Sequence, residues 1–189
     1  MAFLSPEGDL EKIFVDDFGM IDQYASTGSL WTWGRNTYGG LGDNTIADKS
    51  SPIQTIAGGT NWKQVACNRY HTAAIKTDGT LWLWGYNGYG GLGDNTIAHK
   101  SSPIQTIAGG TNWKLVAGGS YHTTAIKTDG TLWLWGYNAY GGLGDNTIAH
   151  KSSPVQTIAG GTNWKQVAGG GYHSAAIHFY DAGNAYPNS

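Results

Sequence analysis

A single cysteine, Cys67, leaves no partner for an internal disulfide and no set of thiolates for a zinc site. Charge is scarce too. Asp, Glu, Lys and Arg make up 13% of the 189 residues, about half the usual share, and the formal net charge is −2. That balance gives no general reason to expect nucleic acid as a partner. No apolar run approaches the ~18–20 residues that span a bilayer, so membrane insertion is not expected. The acidic stretch 1–22 has no basic n-region, so an ordinary secretory signal is not expected either. What is plentiful is glycine, 30 residues, and tryptophan, nine. So much glycine argues against a helical bundle, since each costs roughly 1 kcal/mol in a helix interior. So many aromatics argue against a disordered chain.

The charge is unevenly placed. Glu7, Asp9, Glu11, Asp16, Asp17 and Asp22 face only Lys12 before residue 28, while the remainder carries ten Lys/Arg against seven acids. The chain divides into an acidic N-terminal arm, 1–27, and a weakly basic body, 28–189.

The body is one unit written three times. Trp31, Trp82 and Trp133 are 51 residues apart, as are Trp62, Trp113 and Trp164, and His71, His122 and His173. Each unit reads as four short strands. In the middle copy, Leu81–Asn87 is aromatic-rich and ends in a glycine loop, and Pro103–Ile107 starts on a proline, where a missing N–H is tolerated. Asn112–Ala117 precedes a glycine turn, and His122–Thr128 runs into Asp129-Gly130, a two-residue hairpin signal. Four strands in a period of 40–50 residues predict a propeller blade, hence an all-β β-propeller segment.

The wording Trp82-x-Trp84-Gly85-x-Asn87-x-x-Gly90-Gly91-Leu92-Gly93, followed by Val116-Ala117-Gly118-Gly119-x-x-His122-Thr123-x-Ala125-Ile126-x-x-Asp129-Gly130, closely resembles the regulator of chromosome condensation repeat. The resemblance covers Leu30 to about Ile177, three times over. It implies a β-propeller, usually seven-bladed, and, through the founding activity of that family, nucleotide exchange on a small GTPase as one option. Gly40, Gly91 and Gly142 depart from the family, which usually has Gln there. The near-identical copies are also similar in texture to repeat proteins of marine bacteriophage genomes. That similarity implies a virion appendage or decoration protein touching a host surface, with the virion as its location. Without it, a cytoplasmic protein-interaction propeller is the alternative.

The phase of the repeat carries a further expectation. Leu30–Asn36 and Pro52–Ile56 read as the outer strand pair of a blade. Asn163–Ala168 and His173–Phe179 read as the inner pair of another. Propellers close with four to eight blades, so these half-blades are expected to meet between chains, as a head-to-tail homo-oligomer of two or three copies. Exposed apolar end faces and unpaired strand edges favour such pairing.

In the arm, Leu10, Ile13, Phe14, Phe18 and Ile21 recur at intervals of three or four, which predicts a short amphipathic helix, either packed on its own propeller or serving oligomerisation or docking. A strand over Met20–Tyr24 is disfavoured, because Asp22 and Gln23 fall where Ala73 and Ala74 stand in the repeat. The repeated histidines have no second ligand nearby and read as structural. Gly-Gly-Leu-Gly lacks the third glycine and the helix of a dinucleotide site. Asp43, Asp94 and Asp145 suit an Asx-turn better than calcium. His99 and His150 read as exposed loop side chains, and Cys67, where later copies have Gly118 and Gly169, as a small buried filler. Tyr38, Tyr89 and Tyr140, beside Asn36, Asn87 and Asn138 in the glycine loops, are the candidate ligand-binding set, fitted to protein or glycan contact. Three copies of the same weak groups suit multivalent binding rather than catalysis. No catalytic residue, metal or cofactor is expected.

Overall fold

The computed structural model describes residues 14–15, 21–22 and 28–179. Every regular element among them is a β-strand, and no helix there is long and apolar enough to cross a membrane. After β1 (Phe14–Val15) and β2 (Ile21–Asp22) come β3 (Trp31–Gly34) and β4 (Lys49–Gln54). A four-stranded antiparallel sheet follows: β5 (Trp62–Cys67), β6 (His71–Lys76), β7 (Leu81–Gly85) and β8 (Lys100–Gln105). The same sheet recurs as β9 (Trp113–Gly118), β10 (His122–Lys127), β11 (Leu132–Gly136) and β12 (Lys151–Gln156). The last pair is β13 (Trp164–Gly169) and β14 (Ser174–His178).

The blade register repeats faithfully. Thr72 lies opposite Trp84 in the first full blade, and Thr123 opposite Trp135 in the second. Among the described residues, β3–β4 form a two-stranded sheet and β13–β14 another.

Apolar side chains are buried between blades rather than within one. Ile75, Leu81, Leu83 and Leu92 of the first full blade pack against Trp113, Val116, Ala125 and Trp135 of the second. Leu30 of the first half-blade meets Trp62, Ala74 and Trp84; Ile126, Leu132, Leu134 and Leu143 meet Trp164, Val167 and Ala176 of the last. A four-stranded sheet has two faces and covers neither by itself, so each blade is completed by its neighbour.

The arm departs from expectation. Phe14–Val15 and Ile21–Asp22 pair antiparallel, Phe14 with Asp22 and Val15 with Ile21, where an amphipathic helix and no strand was predicted. An aromatic and two β-branched residues flanking Gly19 favour extended backbone, and the i, i+3, i+4 spacing of five apolar residues is too short a signal to outweigh it. Leu10, Ile13 and Phe18 lie outside the described residues.

The hairpin turns also join the blades. Gly79 has φ +79°, and a Cβ there would strike the carbonyl of Thr111 in the next blade; Gly79 O accepts from Trp113 N at 3.0 Å. Gly130 repeats both features with Thr162 and Trp164. Substituting Gly79→Ala adds left-handed strain and an inter-blade clash, for an expected loss of about 2 kcal/mol or more in urea unfolding. An alanine at Gly58, also at positive φ but with nothing within 4 Å, should carry the strain alone and cost less.

Candidate functional site

The loop between the third and fourth strands of each unit is built around one buried amide. The Asn87 side chain donates to Asp94 Oδ1 (2.9 Å), Thr96 O (3.1 Å) and Ala98 O (3.2 Å), and accepts from Leu92 N (2.9 Å). Asn36 and Asn138 make the same bonds in their copies. The aspartate closes an Asx-turn: Thr96 N donates to Asp94 Oδ1 at 3.0 Å, and Lys100 Nζ lies 3.5 Å from Oδ2. Burial works to raise the Asp94 pKa, but hydrogen bonds from Thr96 and Asn87 outweigh it and hold the carboxyl below its usual range. Asn95, next in line, takes φ +61°, a conformation asparagine tolerates, and donates its N–H to Ser152 O of the next blade at 2.8 Å.

His99 and His150 are exposed, as expected, but have a structural task. Nδ1 of each accepts the backbone N–H of Asn87 or Asn138 at 2.9 Å, where the first copy uses Asp48 Oδ1 for Asn36 at 2.7 Å. Each imidazole also stands against tyrosines.

Those tyrosines form one continuous band. Tyr38 contacts Tyr70, Tyr86 and His99 at 5.0–5.8 Å between centroids. Tyr86 contacts Tyr89 and Tyr121, and Tyr89 contacts Tyr137 and His150. Tyr137, Tyr140 and Tyr172 close the far end, and Tyr121 stacks on both Tyr70 and Tyr172. All come from the first-to-second and third-to-fourth strand connections, which open on the same side of every blade. Most are half-buried; Tyr140 is 73% exposed. A hydrogen bond with Tyr70, together with burial, pushes the Tyr121 hydroxyl up to about 12, so this phenol stays neutral over the physiological range. Arg69 sits 5.1 Å over the Tyr70 ring at one end.

A second repeated arrangement lies deeper, between blades. Thr123 Oγ1 donates to Gly91 O at 2.7 Å and lies 2.8 Å from His71 Nε2, which is also 2.9 Å from Asn68 Nδ2. His122 Nε2 lies 3.0 Å from Ser174 Oγ, which donates to Gly142 O. Burial first, and the neighbouring histidine second, lower the pKa of His71 to about 3 and of His122 to about 4. His71 Nδ1 has no hydrogen-bond partner among the described residues, so a second proton there would be buried without an acceptor. Among those residues no three His, Cys, Asp or Glu side chains converge as metal ligands.

The structure therefore divides the predicted ligand-binding set. Tyr38, Tyr89 and Tyr140 face outward on the band. Asn36, Asn87 and Asn138 are buried at 0–1% exposure with their amides committed to loop bonds, which corrects their placement on a contact surface. Cys67 is exposed rather than a buried filler, because among the described residues no preceding inner pair covers that face of β5. Sequence reasoning missed Tyr70, Tyr86, Tyr121, Tyr137 and Tyr172. The 51-residue recurrence of tyrosine at 70, 121 and 172 was the available signal, but the loops it joins are far apart in sequence.

Repeated four-stranded blades, buried by their neighbours and carrying loops on one side, define a propeller of tandem repeats. A sequence profile of the regulator of chromosome condensation (RCC1) repeat matches residues 27–75, 78–126 and 129–177, and the chain belongs to that family. It is 36% identical over 140 residues to the ultraviolet-B receptor UVR8 of Arabidopsis thaliana, covering 68% of this chain and 30% of that protein. It is 36% identical to the RCC2 homolog of Xenopus laevis, covering 69% of this chain and 26% of the relative. Both matches thus span about a third or less of the relatives' length. Among solved structures, human WBSCR16 superposes with a TM-score of 0.69 at 23% identity, over 82% of this chain and 41% of that one. Prp20p of Saccharomyces cerevisiae, whose binding to Gsp1p and histones was described with its structure, gives 0.70 at 20% identity, over 81% and 40%. These two likenesses show the shared propeller fold.

Two outcomes follow. Asn87→Ala leaves the buried Leu92 N–H without its acceptor and the Thr96 and Ala98 carbonyls without their donor, and should cost about 2–4 kcal/mol in denaturant unfolding. The histidines make stability pH-dependent. The unfolded chain binds their protons near pH 6.5 and the folded chain only near 4 and 3, so stability is full above about 6.5 and declines as the pH falls through that window. The decline should approach roughly 1 kcal/mol per pH unit for each histidine. Urea midpoints at pH 7, 6 and 5 measure it, and His71→Gln should flatten the slope.

Proposed function

We propose that this chain is a protein-binding propeller module that acts by contact rather than catalysis, and that its tyrosine band is the contact surface. The carrying observation is continuity. Eight tyrosines and two histidines from all three repeats touch one another across one side of the molecule, with Arg69 at the edge. Tyrosine and arginine dominate the energetics of protein interfaces, because a rigid amphipathic ring or planar guanidinium desolvates a large area at low entropic cost. The carboxylates of the repeat support the same reading: Asp78 and Asp129 accept from Thr80 and Thr131 in the hairpins, and Asp94 and Asp145 close the loops. A partner surface with aliphatic or proline side chains and hydrogen-bond acceptors would fit the band.

A virion decoration protein gripping host glycans would use the same rings, since sugars also stack on tyrosine. The experiment separates them. Immobilised chain and its Tyr89→Ala/Tyr121→Ala/Tyr137→Ala variant are compared for capture of proteins from source-cell extract and for binding to a glycan array. A protein partner captured by the parent and weakened about 30-fold or more by the variant supports the proposal. Glycan binding without protein capture favours the adhesion reading. Partner binding that the variant leaves unchanged removes the band from the account.

A further inference from the structure

Among the described residues, two faces of this chain lack a neighbour that their internal copies possess, and the two are complementary. On the face after the second full blade, Gly141 has nothing within 4 Å of a Cβ position, and Gly144 meets only Thr157 near that limit. Their counterparts are covered: Gly90 abuts Ser152, and Gly93 abuts the Trp135 indole of the next blade. The uncovered groove runs past Leu134, Leu143, Trp164 and Ala176. On the opposite face, a cavity opens between the Tyr38–Leu41 loop and Cys67–Thr72. One blade on, the matching space holds the His71 ring, between Gly91 and Thr123.

The side chains that would fill each seat are exposed on the other face. Trp33 is 60% exposed, whereas Trp84 and Trp135 are fully buried. Ile177 is 50% exposed against 1% for Ile75 and Ile126, and Val65 46% against 3% for Val116. Gln64 brackets Val116, donating to its O and accepting from its N at 3.1 Å; Gln166 is the matching residue beyond. Among the described residues, β1 and β2 pair with each other and not with β3.

We infer that a second copy of this chain occupies these seats head to tail, β14 of one copy adding to β3 of the other to complete a blade. Carrying the internal register forward by the 51-residue period sets His173 opposite Gly34, Ser174 opposite Trp33 and Ile177 opposite Leu30. The Trp33 indole enters beside Gly144 of the other copy, where its Nε1 reaches the Gly142 carbonyl as Trp84 reaches Gly40 O at 2.8 Å. His173 enters the cavity and meets Thr72 of the other copy, and Gln166 brackets Val65. Two such junctions close a ring of six blades, within the four to eight that propellers adopt, whereas three copies would make nine. The assembly is a dimer.

Native mass spectrometry and light scattering of the full chain at about 10 μM test this, with Cys67 as an internal reporter. Cys67 lies on the face that the junction covers. The expected result is a species of twice 20.1 kDa, whose Cys67 reacts slowly with a thiol reagent. Trp33→Ser and Ile177→Glu should each give a monomer with fast-reacting Cys67 and unchanged far-ultraviolet circular dichroism, because neither side chain is buried in the single chain. A monomeric parent overturns the proposal, whether its seats are then covered by the arm or by nothing. A dimer that both variants preserve overturns it too, by placing the contact on another surface.

Discussion

Everything in this molecule depends on one indole entering the glycine loop of the blade before it. Trp84 donates to Gly40 O, and a Cβ at Gly42 would stand 2.8 Å from its ring nitrogen; Trp135 packs as closely on Gly93, though its Nε1 has no hydrogen-bond partner among the described residues. The loop must therefore carry glycine at positive φ, and it must be held open by something other than its own side chains. The buried amides of Asn36 and Asn87 do that, tying the loop at both ends. Strand pairing makes a blade, but the indole and the loop make a stack of blades.

The same constraint orders the chemistry. The inter-blade histidine is kept neutral because burial disfavours its charged form, and its Nε2 is held between the Thr123 hydroxyl and the Asn68 amide. Loop aspartates are held ionised by threonine and asparagine donors. With the acids and imidazoles engaged in this way, the groups left facing outward on the open side are chiefly phenols, so recognition there rests on ring surface and hydroxyls rather than on charge.

The propeller was legible in the sequence, and so was its phase, because the Asp-Gly hairpins and the Trp-x-Trp runs each recur in fixed register; the prolines, expected at strand starts, instead sit inside the edge strands β4, β8 and β12. Even the half-blades could be placed. Side-chain direction in the loops was not. Asn87 and Tyr89 are two residues apart in a glycine stretch, and nothing in their order says that the amide turns inward while the ring turns out. His99 read only as an exposed loop side chain, because the acceptor role it shares with Asp48 shows only once the Asn87 N–H is placed. The arm was misread for a different reason: five apolar residues fit a helical period over twelve positions, but Val15 and Ile21 suit a strand equally well. Cys67 looked like a filler because its counterparts are glycines, although counterparts share burial only where both have a neighbour on the same side.

The exact periodicity of the body has a bearing on how such a chain changes over time. Near-identical tandem units invite misaligned recombination, which gains or loses whole units at once. Because the three units share one phase, such an event adds or removes whole units and leaves every junction between units as it was. The number of blades is thus open to change by copy number alone, with no surface having to be reinvented.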